Sequence, residues 1–368
     1  MRRLAAAMLA AAVLGGCVAA GEHLGYYWQS ASGHLRILRQ AEPIETLIAR
    51  GDVDPKLRVR LQLVSEIRGF ASRELGLPDN GSYTRYADLQ RPYVLWNVFA
   101  TPELSMKLQQ WCFPVAGCVS YRGYYDQAQA QHYAQQLRDA GLEAHVAGVP
   151  AYSTLGWFDD PVLSTFVHYS EGELARLIFH ELAHQLIFVA GDTTFNESFA
   201  TAVEEIGVER WLAARADPQL KEVHRQRVAR KHDFVSLLRR YRGELGAMYG
   251  LAIPDEEKRQ RKSKLFDALR HDYAALRHDW GGFSGYDRWF AQPLTNAHLA
   301  AVGTYNELVP AFRAMLARRD GDLPAFFADV RRLAALPKEQ RTAQLREITP
   351  APAIRHAGVD DRSPAGDS

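Results

Sequence analysis

The chain is predicted to fold as an α+β protein, and three observations carry the prediction. Helical periodicity covers residues 21–75. Strand-like runs crowd residues 93–149. Helical periodicity then returns at Ser170 and continues to residue 346. Helices, a mixed sheet, two polar-patterned helices and a helical bundle, in that order, describe a small sheet packed against helices. With 47% hydrophobic and 24% charged residues over 368 positions, there is material for a large core.

The elements follow in order. HLRILRQAEPIETLIAR and PKLRVRLQLVSEIRGFASREL place apolar residues at i, i+3, i+4 and i+7, and Pro55 suits a first helical turn. LPDNGSYTRY is a loop. YVLWNVFA (93–100) is β-branched and aromatic, and KLQQWCF and CVSYRGYYD flank a hairpin turn at Pro114–Gly117. Residues 126–140 form a helix ended by Gly141, LEAHVAGV (142–149) alternates as a strand, and AYSTLGWF (151–158) reads as a short edge strand. Ser170 to Glu173 has the S-x-x-E form of a capping box opening the next helix, which Gly191-Asp192 ends. A second helix runs from Thr194 to Ala213, and 219–246, 255–280, 296–318, 322–334 and 337–346 are helical. The sheet is expected to pack against the helix opened by Ser170.

Charge directs the reading away from nucleic acid. The net charge is +1, and the run Glu256–Lys264 mixes signs as a solvated helix face does.

Chemistry concentrates in HELAHQLIFVAGDTTFNESFATAVEE, residues 180–205. His180 and His184, four apart, share one helix face and can reach one ion. A carboxylate would complete three ligands and leave a fourth position for water. Glu181 in H-E-x-x-H is placed to take a proton from that water as it attacks a carbonyl. The motif lies inside the apolar segment ARLIFHELAHQLIFV, where burying these polar groups without a partner would be costly. Glu197, thirteen positions after His184, is the best third ligand, because Gly191-Asp192 can turn the next helix back. The competing reading makes Glu197 only the end of a second capping box, Thr194 to Glu197. Glu204, two turns further, is assigned to orienting His180 or His184 through the ring nitrogen turned away from the metal, with simple exposure to solvent as the alternative. Nitrogen and oxygen ligation of this kind favours one Zn2+ ion.

Met1-Arg2-Arg3 followed by apolar Leu4–Leu14 reads as a secretory signal, too short to span a bilayer. Its end, Leu14-Gly15-Gly16-Cys17, resembles a bacterial lipobox, which implies cleavage before Cys17 and a lipid on its thiol. Val18 stands where an aspartate would favour the inner membrane, so the sorting rule points to the outer one. The folded part then faces the periplasm. That compartment is oxidising, and Cys112 and Cys118 are expected to bridge across the hairpin.

HELAHQ followed by NESFATAVE resembles the gluzincin metallopeptidases, above all the alanyl aminopeptidases. The lipobox, WCFPVAGC, YRGYYD, AYSTLGWFDDP, HELAHQ, NESFA and NAHLAAVGTYNELVPAF together resemble a family of bacterial aminopeptidase lipoproteins, over most of the chain after Cys17. The resemblance implies a zincin-like fold, zinc ligands at His180, His184 and Glu197, a catalytic base at Glu181 and a peptide substrate. It also departs from the alanyl enzymes. The linker to Glu197 is shorter, and no G-x-M-x-N segment stands upstream to grip a substrate amine. Asp159 or Asp160 could meet that amine, though a turn before Pro161 is the plainer reading. An oxyanion donor is expected downstream, among Tyr249, Tyr286, His298 and, by its family-like segment, Tyr305.

The chain divides accordingly into a signal peptide (1–16), an N-terminal helical and mixed α/β region with the hairpin (17–150), a zinc-binding catalytic core (151–215), a helical C-terminal region (216–348) and a disordered tail (349–368). The function expected is zinc-dependent peptide hydrolysis in the cell envelope, as an aminopeptidase. The rivals are an endopeptidase of the same mechanism and a non-catalytic lipoprotein. Nothing in the residues sets an oligomeric state.

Overall fold

The computed structural model describes residues 26, 29–30, 32–113, 117–302 and 308–348. The expected signal segment, Cys17, Tyr305 and the tail lie outside them.

The first helical stretch resolves into three pieces: residues 32–40 (α1), Ile44–Ala49 (α2) and Pro55–Leu75 (α3). Asp54 accepts a hydrogen bond from the Leu57 N–H and Pro55 sits in the first turn of α3, while Gly76 ends it at φ 64°. A donor otherwise left without a partner is thereby satisfied at the start, and the left-handed residue at the end is one that glycine adopts without penalty.

Two three-stranded sheets follow. Glu42–Pro43 (β1), Arg85–Ala87 (β2) and Val162–Leu163 (β8) form a mixed sheet in the order β1-β2-β8, with β2 and β8 parallel. Leu95–Pro102 (β3), Arg122–Tyr124 (β6) and Leu142–Val149 (β7) form an antiparallel sheet in the order β6-β3-β7, with Val98 opposite Val146 and Trp96 opposite Tyr124. Helix α4, Gln127–Asp139, runs from its cap at Asp126 to Gly141 and covers one face of this sheet, with Ala130 and Ala134 against Trp96 and Val98. Between β3 and β6, Trp111–Phe113 (β4) and Gly117–Val119 (β5) pair as a hairpin, and Cys112 and Cys118 form the expected disulfide.

Helices α5 (Glu171–Leu186) and α6 (Thr193–Arg215) form the centre. Leu174, Ile178, Phe179, Phe195, Phe199 and Val203 are buried in one cluster with α3 residues and with Val162 and Leu163 of the mixed sheet. Each such side chain contributes about 1.5–3 kcal/mol on leaving water. Gly207 allows the close approach, since a Cβ there would lie 2.7 Å from Phe179 and 2.9 Å from Leu75. Helices α11 (Val309–Ala317), α12 (Leu323–Ala334) and α13 (Lys338–Ile348) close this core with Phe312, Phe326 and Phe327. Helices α7 (Pro218–Tyr249) and α8 (Asp255–Asp279) make an antiparallel pair, capped by α9 (Asp287–Phe290) and α10 (Asn296–Ala301), around a second core of Leu238, Leu245, Phe266, Leu269 and Phe290.

The architecture is α+β, with four departures from expectation. The larger sheet packs chiefly on α4 and α10, and the helix carrying the histidines has α3 and α6 as its principal neighbours; the small mixed sheet shares the core of α5, which the larger sheet meets at Leu95. Residues 151–158 form no strand. Leu155 and Gly156 take φ 57° and 81°, which turns the chain instead. The stretch 296–318 is two helices rather than one. Ser170 sits at the start of α5, but its hydroxyl makes no capping hydrogen bond.

Candidate metal centre

The turn between α5 and α6 decides where Glu197 points. Gly191 takes φ 77° and Asp192 caps α6 by accepting from the Phe195 N–H at 3.2 Å. Thr194 is already inside the helix, so no box forms between Thr194 and Glu197, and Glu197 is released from a capping role. The Asn196 amide holds Val189 from both sides, its Oδ1 accepting from the backbone N–H and its Nδ2 donating to the carbonyl, each at 2.8 Å. From α13, Arg341 donates to Asp192 at 2.6 and 3.1 Å in a setting where both side chains are about 95% covered.

These constraints bring three side chains together. His180 Nε2 lies 3.1 Å from His184 Nε2, and the two Glu197 oxygens lie 3.4 Å from His180 Nε2 and 3.6 Å from His184 Nε2. All three donor atoms fall within 4.8 Å of one another. Two ring nitrogens that face each other cannot both carry protons, so at least one lone pair points at the shared space. Burial pulls His180 down, but Glu197 and Glu204 outweigh it and hold the imidazole at about 10, whereas burial and the charge on His180 push His184 down to about 4. One positive charge is thus held between these groups, where a divalent cation would take the place of the proton. Two imidazoles and a carboxylate facing one point, with the acidic neighbours to balance a cation, fit Zn2+.

Glu204 stands behind His180. Its Oε2 lies 2.8 Å from His180 Nδ1 and accepts from Arg176 Nη1 at 2.9 Å. Burial alone would raise its carboxyl, but Arg176 and His180 overcome this and hold it at about 2. Arg176 is held in turn by Glu173 at 3.2 Å, and Glu173 also pairs with Arg227. Arg176, one turn before His180 on the same helix face, belongs to this cluster although no motif marks it; the i, i+4 spacing was the available signal.

Glu181 faces another wall. Burial pushes its carboxyl up to about 7, with Glu197 and Asp160 adding to the rise and His180 opposing it. One turn on, Gln185 donates to Ser82 Oγ at 3.2 Å and accepts from Asn80 Nδ2 at 2.8 Å. The loop carrying Asn80 and Ser82 is braced from within by buried Arg68, which donates to the carbonyls of Pro78, Asn80 and Ser82. Tyr83, at φ 64° and fully buried, donates its backbone N–H to the Asp160 carbonyl at 2.7 Å, and its hydroxyl has no hydrogen-bond partner. Asp160 Oδ2 accepts from Thr154, as a turn residue does, yet its buried Oδ1 is unpartnered. Asp159 is exposed.

Tyr305 lies outside the described residues. On its C-terminal side, Leu308 donates its N–H to Ser198 Oγ at 3.3 Å, next in sequence to Glu197. The other oxyanion candidates have other partners: Tyr249 donates to Asn296, Tyr286 stacks on Phe234 and His298 lies tilted against His145 of β7.

No curated protein and no solved structure matches the chain. A family model described as "Putative aminopeptidase" matches residues 25–345, which contain every side chain placed around this centre. By that match, spanning nearly all of its length, the chain belongs to the aminopeptidase family so described.

Proposed function

We propose that the chain is a zinc-dependent aminopeptidase of the gluzincin type, anchored by lipid at Cys17 in the bacterial envelope. The observation that carries the reading is the convergence of His180, His184 and Glu197 beside a half-buried Glu181. His180, His184 and Glu197 would hold the ion, and Glu204 would fix the ring of His180. A zinc ion there supplies Lewis acidity, activating water and polarising a carbonyl. Glu181, with a carboxyl near the ambient pH, accepts the proton of the attacking water and returns it to the leaving amine. Asp160 Oδ1, buried without a partner near Glu181, is the acceptor that a substrate's free amine would satisfy. The lipobox and the disulfide both support an extracytoplasmic site.

The test is metal content followed by hydrolysis. Glu181→Gln should keep one zinc per chain and lose about 10²–10⁴-fold in kcat. Peptides with free amines should be cut and their N-acetylated forms spared, with the discrimination lost in Asp160→Asn. A chain that takes up no zinc, or cuts no peptide, would refute the reading. Partition into detergent, lost on Cys17→Ser, checks the anchor.

A further inference from the structure

Helices α5, α6 and α7 and the start of α11 enclose a cavity of about 310 Å³, with Thr201, Glu204, Arg227, Lys231, Arg239 and Val309 in its wall. The volume is at the lower end of the range that small ligands use. Thr201 stands one helical turn beyond Glu197, so the cavity begins about 5–6 Å along α6 from the candidate ligand carboxylate. Glu204 belongs both to its wall and to the support of His180.

The wall carries a surplus of positive charge. Its carboxylates already have cations: Glu204 pairs with Arg176, Glu173 with Arg176 and Arg227, and Glu205 with Arg313. Lys231 and Arg239, both exposed at the rim, form no contact ion pair among the described residues, although the charge of Lys231 helps hold the Glu204 carboxyl down from a distance. Val208, Val228, Val309 and Pro310 add apolar surface, beside the polar His224, His232 and Ser236. A partly apolar recess with two cations at its mouth that no carboxylate contacts is suited to a short chain ending in an anion. An extended peptide advances about 3.3–3.6 Å per residue, so an anion held here belongs to a group one or two residues beyond the cleaved carbonyl.

We propose that this cavity receives the carboxylate at the trailing end of a short peptide, so that the enzyme acts on di- and tripeptides with free carboxyl ends. The proposal rests on the peptidase reading above. Lys231 and Arg239 would set this preference, by supplying at the far end of the substrate the charge that the terminal carboxylate needs.

Binding, rather than turnover, tests it. The full chain carrying Glu181→Gln, with zinc added, is titrated by calorimetry with trialanine and with trialanine amide. Trialanine should bind about tenfold more tightly, and the preference should shrink as salt is raised. Adding Lys231→Met and Arg239→Met, at exposed positions outside both cores, should remove the preference. Ala-Ala-Asp-amide separates two sources of the anion: binding as weak as the plain amide assigns the site to the chain terminus, binding as tight as trialanine assigns it to acidic side chains, and either supports a carboxylate site. Equal affinity for acid and amide, no binding of either, or a preference that survives both substitutions would overturn the proposal. Peptide cleavage by the unaltered chain is followed separately, so loss of the carboxylate preference and loss of the peptidase reading give different results.

Discussion

Glu204 shows how much of the candidate site depends on a residue that would touch no metal. Its carboxylate bridges His180 Nδ1 and Arg176, and is itself almost fully covered. Without it the imidazole could rotate or carry its proton on the other nitrogen, and the lone pair of Nε2 would no longer be held toward His184 and Glu197. Glu204→Gln preserves the shape and removes the charge. It should weaken zinc binding about 10–100-fold, measured by competition with a chelator of known affinity. An unchanged affinity would make Glu204 a structural partner of Arg176 alone. Glu181 offers a contrast at the same scale. It makes no hydrogen bond among the described residues, and burial sets its carboxyl near neutrality, which suits the proton-accepting and proton-returning role proposed for it.

At the scale of elements, the turn between α5 and α6 is the joint on which the histidines and Glu197 meet. Asp192 serves it twice, as the cap of α6 and as the partner of Arg341 from α13. Asp192→Ala should cost about 1 kcal/mol for the cap and about 3–5 kcal/mol more for leaving a guanidinium buried and unpaired. Urea denaturation should therefore show a large drop in midpoint, and adding Arg341→Met should recover part of it, because the second change removes the stranded charge. A loss below about 1 kcal/mol would mean that Arg341 finds other partners, such as the Ala334 and Leu336 carbonyls it already meets. Much of this element was readable beforehand. The apolar spacing of ARLIFHELAHQLIFV set the helix, and Gly191-Asp192 marked the reversal. The choice of Asp192 over Thr194 as cap was not readable, because both residue types cap well and the decision came from an arginine 149 positions away. The loop at 151–160 failed as a strand for a similar reason. Its backbone turns around Asp160, whose carboxylate takes the Thr154 N–H and hydroxyl that a strand would have left to a neighbour.

Across the whole molecule, the pieces join through contacts that local patterns do not announce, and one of these should make stability depend on pH. His145 of β7 and His298 of α10 pack ring against ring, tilted by 33° with centroids 3.8 Å apart, joining the larger sheet to the helical core. Both are buried. Burial, with Arg138 adding its charge, pushes His145 down to about 4, and burial, then His145 and Arg138, pushes His298 down to about 3. In the unfolded chain each imidazole titrates near 6.5. Between those values the unfolded chain binds protons that the folded chain refuses, so acid favours unfolding. Above about pH 7 neither state is protonated and the pair adds no pH dependence. As pH falls from 6.5 toward 4, stability should fall, by roughly 2 kcal/mol for each imidazole at pH 5. Other histidines and the carboxylates titrate over the same range, so the comparison must isolate this pair. His145→Phe keeps an aromatic ring against His298 and removes one titrating group, along with its repulsion of the other. The difference in unfolding free energy between pH 7.5 and pH 5, measured by urea, should be smaller in His145→Phe than in the parent by roughly 2 kcal/mol or more. Equal differences would show that the folded chain protonates this pair as readily as the unfolded chain does, and that the joint between sheet and helices is open to solvent.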